Sequence, residues 1–373
     1  MRGKFQINAK ERLCWLQLIR SENVGPITFF QLLQRFNTAE EALRKVPELA
    51  KKGGAKRPIR IFNQSAAKTE LQQLEDIGGR LLALPDPEYP ALLREIHDPP
   101  PVISLLGHPQ LLNRTCLGIV GSRNASANAI RLTRTFAEAI GSRDITITSG
   151  LARGIDTAAH VASLSSGTVG VVGGGIDVVY PRENTELHRE IAGRGCIVAE
   201  QPFGTQPQAR HFPRRNRIIS GMSHGVLVME ATPKSGSLIT ARMAAEQGRE
   251  VFAIPGSPLD PRARGTNNLI REGAMLVESP SEIINTLLNT YQRSMKEPDQ
   301  LPLSFSSPEE PAETELEKYR PKLLSLLSPT PVEIDEIIRL LDIAPSLVMT
   351  ILLELELAGR VERHFGNRVS LVS

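Results

Sequence analysis

Short apolar runs alternate with amphipathic stretches between Thr115 and about Leu288, and this pattern predicts a parallel β-sheet covered by helices. The runs are apolar on both faces, as strands buried inside a parallel sheet are. The predicted strands are Cys116–Val120, Ile145–Thr148, Thr168–Val172, Cys196–Ala199, Gly225–Glu230, Glu250–Ile254 and Ala274–Val277. The predicted helices between them lie near Ala127–Ile140, Ile155–Ser163, Glu183–Ala192, Leu238–Gln247 and Ser281–Leu288. The pattern indicates an α/β fold with a doubly wound, mostly parallel, Rossmann-like sheet, whose ligands would bind at the carboxyl ends of the strands.

Residues 9–80 have a helical pattern instead. Pro26 suits the first position of a helix, and Thr38 is a good N-cap for another. The turn Val24-Gly25-Pro26 between short helices is reminiscent of helix-hairpin-helix modules that grip DNA backbones. A plain helical bundle explains the same pattern equally well, so both interpretations stay open.

Proline-rich segments mark the boundaries between regions. Residues 85–110 predict an extended connector, and the Pro/Ser/Glu-rich segment 295–315 predicts a flexible linker. Three helices and a two-stranded wing then follow in the order of a winged helix: Glu317–Leu327, Pro331–Leu341, Pro345–Ala358, Arg360–His364 and Arg368–Val372. We therefore predict a helical domain at 1–84, a Rossmann-like domain at 85–294, a linker at 295–315 and a winged-helix-like domain at 316–373.

The composition is that of a globular protein, and its uneven charge is compatible with an anionic partner. Its 373 residues are 40% hydrophobic and 23% charged, which is enough for more than one domain. The net charge is only +3, but residues 204–249 hold seven Lys/Arg against two Asp/Glu. No apolar run approaches the length of a membrane span, and no signal-peptide pattern is present, so we expect a cytoplasmic protein that does not contact the membrane.

One basic segment, Phe212–Ile218, is unusually rich in groups that bind phosphate. Arg214, Arg215 and Arg217 lie beside Phe212 and Asn216, with no acid among them. Arginine binds phosphate oxygens two at a time and stays charged at physiological pH. A solvated basic turn is the plainer interpretation, since charge runs usually face water.

Four Gly-rich loops at predicted strand ends make the binding interpretation stronger. They lie within Gly118–Asn124, Thr148–Asp156, Val172–Asp177 and Lys234–Thr240. Glycines expose backbone amides, and a helix that begins there favours an anion. The P-loop pattern is absent, and the dinucleotide fingerprint is incomplete because Val178 occupies its third glycine position. The three cysteines are far apart, without a CxxC pair. We therefore expect no cofactor and no metal.

The sequence contains little evidence for a catalytic site. Asp156 and His160 are spaced as an acid–base pair on one helix face, and a helix-stabilising contact explains that spacing better. Glu200 and Glu230 lie at strand ends, where acids of a nucleotide hydrolase would lie, and salt bridges to nearby arginines are the favoured alternative. We predict that the protein is not an enzyme.

These segments together resemble the DNA processing protein A family, also called Smf. The resemblance runs through most of residues 85–285. Its motifs are Gly118–Asn124, Ser149–His160, Gly173–Asp177 with Tyr180-Pro181, Phe212–Gly221, Ser235–Ala241, Val251–Gly256 and Gly265–Ala274. It implies a helical N-terminal domain of the sterile-alpha-motif type and a C-terminal winged helix. It also implies a homodimer that binds single-stranded DNA, displaces or coexists with single-strand binding protein, and loads the RecA recombinase during natural transformation.

The resemblance further implies which residues bind DNA. Arg123, Arg215 and Arg217 would bind backbone phosphates, Phe212 would stack on a base, and Lys234 would close the pocket. The full implied set is Gly121, Ser122, Arg123, Phe212, Arg214, Arg215, Asn216, Arg217, Lys234, Ser235, Gly236, Ser237, Thr240, Thr266 and Asn267.

Two competing functions and one interface hypothesis stay open on sequence alone. A Rossmann-like nucleotide phosphoribohydrolase would use Glu230 on the ribose. A transcriptional regulator would read duplex DNA with the third helix of the tail, but that helix contains Glu354 and Glu356 and no Lys or Arg. The apolar residues Leu269, Ile270 and Leu276 are candidates for self-association, with a core role as the alternative.

Overall fold

The chain folds into two compact units. The computed structural model describes residues 7–294, 312–364 and 366–372, with side chains omitted at 289–294; most of the predicted linker lies outside these ranges. Within the described residues, one unit takes 69–294 and contains the large sheet. The other combines 7–68 with 312–372, so it is built from both ends of the described chain. We call these the sheet unit and the terminal unit.

The helices follow the amphipathic segments of the sequence. In the terminal unit, with α4 running on into the sheet unit, they are α1 (Ala9–Arg20), α2 (Pro26–Phe36), α3 (Ala39–Lys52) and α4 (Gln64–Asp76). The sheet unit has α5 (Ala91–Arg94), α6 (Ala127–Gly141), α7 (Ile155–Ser163), α8 (Thr185–Arg194), α9 (His211–Met222), α10 (Gly236–Glu246), α11 (Arg264–Arg271) and α12 (Pro280–Ser294). The tail has α13 (Glu313–Leu326), α14 (Ile334–Leu341) and α15 (Pro345–Leu357).

The large sheet confirms the predicted α/β class. Its strands are β1 (Arg80–Ala83), β2 (Val102–Gly107), β3 (Cys116–Val120), β4 (Thr146–Ser149), β5 (Thr168–Val172), β6 (Cys196–Ala199), β7 (Gly225–Val228), β8 (Glu250–Ala253) and β9 (Met275–Leu276). They are ordered β1-β2-β6-β5-β4-β3-β7-β8-β9, and the strands from β3 to β9 are parallel. The strand order reverses between β3 and β7, and doubly wound sheets commonly bind their ligands near such a reversal.

Two antiparallel strands extend this sheet where the sequence predicts a connector. β2 pairs with β6, Ser104 opposite Ala199, and β1 pairs with β2. The connector prediction is therefore wrong for Val102–Gly107. The surrounding prolines mask a short apolar run, but they lie outside the strand itself, where their missing N–H groups cost no ladder hydrogen bond.

Apolar side chains on one face of the sheet form a core with α6. Leu117, Ile119 and Ile147 of the central strands pack with Phe136 of α6 and Phe252 of β8, all buried. Parallel strands buried on both faces explain why their sequences are almost continuously apolar. The core therefore holds the carboxyl ends of the strands, and the loops that follow them, in fixed positions.

The basic segment forms a helix rather than a turn. It lies within α9, whose side chains Ile218, Ile219 and Met222 are buried. Pro213 is in the first turn, where its missing N–H is tolerated. The arginines of the segment therefore project on different sides of one helix.

The helices of the terminal unit begin at the predicted caps. The Thr38 side chain accepts a hydrogen bond from the Glu41 N–H at the start of α3, and α2 begins at Pro26. Trp15 packs edge-on against Phe29, with ring centroids 4.9 Å apart. These contacts make a closed helical cluster in which the caps satisfy backbone donors.

The tail has the predicted winged-helix fold. Three helices precede a small sheet ordered β10-β12-β11, with β10 (Val332–Glu333), β11 (Val361–His364) and β12 (Arg368–Leu371). Its third helix, α15, packs against α3. The Asn23 side-chain amide donates to the Leu357 carbonyl over 3.1 Å. Glu354 is almost fully buried and pairs with Arg320 at 2.5 Å. These contacts cover much of α15, and its described residues include no Lys or Arg for a DNA groove.

Replacing Gly53 with alanine should loosen the contact between α3 and α15. An added Cβ would lie 2.0 Å from the Glu354 carbonyl oxygen, a backbone atom that cannot rotate away. We expect a loss of about 1–3 kcal/mol in the free energy of unfolding, with faster proteolysis of the tail. Gly25→Ala is the control, because an added methyl group there meets nothing within 4 Å. Equal urea midpoints for the two variants would contradict this close packing.

Candidate nucleic-acid interface

A pocket of about 290 Å³ lies at the carboxyl ends of β3, β4 and β5. Loops that follow these strands form its walls, together with α9. Its lining residues are Arg123, Asn124, Gly150, Ala152, Arg153, Val172, Gly173, Gly174, Val178, Tyr180, Pro181, Pro207, Phe212 and Arg215. Among these described residues there are three arginines and no acid, histidine, serine or cysteine. The pocket therefore offers positive charge and hydrogen-bond donors without an evident nucleophile or general base.

Arg215 supplies a fixed positive charge to this pocket. Its Nη1 donates to the Val171 carbonyl oxygen over 2.6 Å, at the end of β5. Glycine at position 150 leaves room for this guanidinium, because an added Cβ would lie 2.0 Å from the same nitrogen and would force it to move. Burial lowers the pKa of the Arg215 guanidinium to about 10, so the group stays protonated at neutral pH. A rigid, charged donor of this kind can hold an anion with little loss of side-chain entropy.

Asp156 fixes the loop after β4. Its buried carboxylate accepts hydrogen bonds from the Gly150 and Ala152 N–H groups, at 3.1 and 3.3 Å. Burial raises the pKa of Asp156 above its usual value, and the charge of Arg215 opposes that shift. The carboxylate thus orders the backbone beneath the pocket and partly balances the buried guanidinium.

His160 is not paired with Asp156. Its Nδ1 is 2.8 Å from the Thr168 hydroxyl, and burial lowers the pKa of His160 to about 3. The imidazole is therefore neutral and part of the core. The two side chains therefore have separate partners, and the structure forms neither the acid–base pair nor the helix-stabilising contact that their spacing allows.

Two aromatic rings and an arginine line one wall of the pocket. The Arg123 guanidinium carbon lies 5.2 Å from the centroid of the Phe212 ring. The Tyr180 ring centroid is 5.8 Å from that of Phe212, with the two planes inclined at 39°. Arg153, an exposed side chain nearby, forms an ion pair with Glu183. The wall thus combines cationic and aromatic surfaces, both of which suit a nucleotide chain.

The pocket brings together three of the residues expected from the family resemblance: Arg123, Phe212 and Arg215. Gly121 and Ser122 belong to the same loop as Arg123, and the Ser122 N–H donates to the Glu230 carbonyl oxygen over 2.8 Å. On α9, Arg214 is exposed and Asn216 is half-buried. These four lie outside the pocket lining.

Arg217 has a different environment from Arg215. Its side chain is buried, with 4% exposed, and it pairs with Glu200 and with Asp98, whose carboxylate is 3.3 Å from Nε. Nη1 also donates to the Asp98 carbonyl oxygen over 2.6 Å. Since these partners occupy the guanidinium and Arg217 does not line the pocket, its role in this structure is to tie α9 to the segment before β2.

The remaining expected residues form the beginnings of α10 and α11. Ser235 caps α10 by accepting from the Ser237 N–H, and their hydroxyls are 2.7 Å apart. Lys234 is exposed just before this cap, Gly236 is the first helical residue, and Thr240 is buried. Two side chains of α11 make hydrogen bonds within the protein. The Thr266 hydroxyl donates to the Ala263 carbonyl oxygen, and the Asn267 amide pairs with the N–H and carbonyl groups of Gly256. None of these residues lines the pocket.

Glu230, the candidate acid of a nucleotide hydrolase, does not line the pocket, whereas three residues outside the expected DNA-binding set do. The buried Glu230 carboxylate accepts from the Ser126 N–H at 3.2 Å, so it supports the start of α6. Conversely, Asn124, Arg153 and Tyr180 line the pocket although the expected DNA-binding set omits them. Their signal was available, because each lies in a motif that carries the family resemblance.

The described residues contain neither a cluster of metal-ligating side chains nor a membrane-spanning helix. No group of three or more His, Cys, Asp or Glu side chains in them is arranged to hold a metal ion. Likewise, none of the helices in these ranges is both long and apolar enough to cross a bilayer.

Fold and site define an α/β protein with a cationic sheet edge, flanked by a helical domain and a winged helix. Family models match all three parts: DNA recombination-mediator protein A at residues 80–288, the DprA-like N-terminal HHH domain at 9–72, and the DprA winged helix domain at 307–367. The chain belongs to the DNA recombination-mediator protein A family.

Known relatives extend over almost the whole chain. Protein Smf from Synechocystis is 35% identical, covering 96% of this chain and 98% of its own length. Protein Smf from Escherichia coli is 38% identical over 83% of this chain and 82% of its own. The X-ray structure of DNA processing protein A from Streptococcus pneumoniae has a TM-score of 0.65 at 34% identity, covering 75% of this chain and 98% of that one.

A second similar solved structure concerns DNA binding by a relative. It concerns the single-stranded DNA binding mode of DNA processing protein A from Helicobacter pylori. Its TM-score is 0.53 at 28% identity, and the match covers 57% of this chain and 96% of that one.

Replacing Arg217 with methionine should destabilise the sheet unit. The change leaves Glu200 and Asp98 without their cation, and breaking a buried ion pair typically costs about 3–5 kcal/mol. Arg214→Met on the same helix is the control: that side chain is exposed, and its loss should change the free energy of unfolding by less than about 0.5 kcal/mol. Urea denaturation of both variants measures the difference. A stable Arg217→Met protein with impaired DNA binding would return Arg217 to the binding surface.

Proposed function

We propose that this protein binds single-stranded DNA through the pocket at the carboxyl edge of its sheet. The observation that carries the proposal is the lining itself: Arg123, Arg153 and Arg215 beside the aromatic rings of Tyr180 and Phe212, with no acid among the lining residues. Guanidinium groups bind phosphate oxygens, and aromatic faces stack on bases of any identity. An unpaired strand presents both groups at once, so it fits this surface better than a duplex with its bases inside.

The path of the strand extends beyond the pocket in this proposal. Arg214 is exposed on α9, and Asn216 is half-buried on the same helix. Lys234 is exposed at the start of α10, whose N-terminus includes Ser235, Gly236 and Ser237 and favours an anion. Gly121 and Ser122 present the loop that carries Arg123. The path does not include Arg217, Thr240, Thr266 and Asn267, because they are buried or bonded internally.

We further propose that the protein acts by binding rather than by catalysis, in the cytoplasm. The pocket lining has no apparent acid or base, and the Glu230 carboxylate is used by the Ser126 N–H. The description of the family as a recombination mediator supports a role in delivering the strand to a recombinase. In this proposal the protein protects incoming DNA, works beside single-strand binding protein, and loads the RecA recombinase in natural transformation.

Self-association is the remaining part of the proposal. β9 is the edge strand of the sheet, and its Met275 and Leu276 side chains are 39% and 44% exposed. An edge strand with exposed apolar side chains is a surface that another chain can cover. Leu269 and Ile270, on the preceding helix, are half-buried. We propose a homodimer in which two copies of this edge meet.

Arg123→Ala should weaken binding to a poly-dT oligonucleotide by roughly ten- to a hundredfold, because a charge-assisted hydrogen bond contributes about 1.5–3 kcal/mol. For each phosphate that the variant no longer neutralises, the slope of log affinity against log salt should also flatten by about 0.7. Fluorescence anisotropy at several salt concentrations measures both effects. Arg134→Ala, an exposed arginine on α6, is the matched control.

The same pair of variants tests recombinase loading. RecA assembly on DNA coated with single-strand binding protein should be accelerated by the wild type and by Arg134→Ala, and not by Arg123→Ala. Equal oligonucleotide affinity of both variants would exclude the pocket. Conversion of a nucleoside monophosphate, followed by chromatography, would favour the phosphoribohydrolase alternative.

Leu276→Asp should convert the dimer into a monomer, because it places a charge in the proposed apolar contact. The control is Leu259→Asp, at a loop position outside β9 that is 89% exposed. Sedimentation velocity at micromolar concentration separates the two states. A Leu276→Asp protein that sediments like the wild type would place any self-association elsewhere.

A further inference from the structure

We propose that Glu230 positions Arg123 for phosphate binding by holding both ends of the loop that carries this arginine. The inference rests on the single-strand binding proposed above, and it assigns Glu230 a positioning role within that function. The loop runs from Gly121, after β3, to Ser126, before α6. Arg123 lies within this loop and lines the pocket, whereas Glu230 follows β7, which pairs with β3, and lies outside the lining.

The backbone of Glu230 holds the first end of the loop. Its carbonyl oxygen accepts a hydrogen bond from the Ser122 N–H over 2.8 Å. The strand pairing continues to this point, because the Met229 N–H donates to the Val120 carbonyl oxygen over 3.1 Å. A Cβ added to Gly121 would lie 3.1 Å from the same Glu230 oxygen, so the two segments are in close contact. The loop is therefore fixed one residue before the arginine.

The side chain of Glu230 holds the second end of the loop. Both of its carboxylate oxygens accept from the Ser126 N–H, at 3.2 and 3.3 Å. Ser126 is the N-cap of α6, and its hydroxyl accepts from the Ala129 N–H. In a capping box a Glu or Gln three residues after the cap accepts from the N-cap N–H, but here that position is Ala129. Glu230 supplies the missing acceptor from another strand end, and its negative charge suits a helix N-terminus.

The start of α7 closes the loop on another side. The Ser122 carbonyl oxygen accepts from the Ile155 N–H over 3.3 Å, and a Cβ added to Gly154 would lie 2.4 Å from the same oxygen. Glu230 itself is 7% exposed, so water competes little for its carboxylate. Residues 123–125 then remain between the two fixed N–H groups. An arginine held in so short a loop loses little conformational entropy when it binds a phosphate.

The charge of Glu230 would by itself oppose the binding of a polyanion, since like charges repel. A substitution that acted only through this charge would therefore strengthen DNA binding. A substitution that released the loop would weaken binding, because Arg123 would have to be ordered by the ligand. The sign of the change thus separates a positioning role from a purely electrostatic one.

The experiment is a double-mutant cycle between Glu230 and Arg123, read as affinity for a poly-dT oligonucleotide by fluorescence anisotropy. Glu230→Leu removes the acceptor while keeping the side-chain size, and it should weaken binding roughly tenfold, the order of magnitude of one hydrogen bond. In the Arg123→Ala background the same substitution should have no further effect, because the loop no longer carries the phosphate contact. Glu230→Gln keeps an acceptor oxygen and should bind more tightly than Glu230→Leu. Glu138→Leu, at an exposed position on α6, is the matched control and should bind like the wild type.

Additive losses in the cycle would overturn the inference, as would a Glu230→Leu protein that binds at least as tightly as the wild type. Both results leave the proposed function intact, provided that Arg123→Ala binds more weakly than the wild type. Arg123→Ala with wild-type affinity would instead contradict the proposed pocket.

Hydrogen exchange on the unliganded wild type tests the same contacts without any variant. The Ser122 and Ser126 amides should exchange more slowly than the Arg123 amide between them, because Glu230 accepts from both. Exchange of either serine amide as fast as that of Arg123 would overturn the inference, even if Glu230→Leu did not fold.

Discussion

The candidate interface depends on one buried cation. The Arg215 guanidinium is held by the Val171 carbonyl at the end of β5, lies over Gly150 in the loop after β4, and faces the Asp156 carboxylate. Removing an ion from water is costly unless polar partners replace the lost hydration. Here the partners come from two strand ends and one helix, so keeping the charge solvated also fixes the relative position of these three elements. The pocket lies on the side of the Arg215 guanidinium that these partners leave open.

Helix geometry explains why one run of arginines serves separate purposes. Successive residues of an α-helix are rotated by about 100°, so residues two apart point in nearly opposite directions. On α9 this separates Arg215, which lines the pocket, from Arg217, which pairs with Glu200 away from it. Arg214, between these directions, stays exposed. A family motif that appears as one cluster in sequence is therefore divided by the fold into a ligand-facing group and a structural group.

The sequence was sufficient for features that depend on local pattern. The parallel strands, the Thr38 cap and the winged-helix tail follow from apolar periodicity and cap chemistry. The sequence was insufficient for features that depend on contacts between distant segments. One is the pairing of β2 with β6, nearly a hundred residues later. Another is the pairing of Arg217 with Asp98 and Glu200. Tyr180 belongs to a family motif, but only the fold shows that its loop lies beside Phe212 and Arg215 in the pocket. Local sequence patterns identify helices and strands, whereas contacts between distant segments determine which side chains remain accessible.

The terminal unit has a consequence for biosynthesis. Its two parts, 7–68 and 312–372, are separated by roughly 240 residues, of which 69–294 are the described part of the sheet unit. A ribosome adds about 5–20 residues per second, so the early helices wait roughly 12–50 seconds for the helix that covers them. During that interval the α3 surface around Gly53 has no α15 to pack against. The sheet unit is thus the domain that can mature first, and the early helices are covered only after it has been translated.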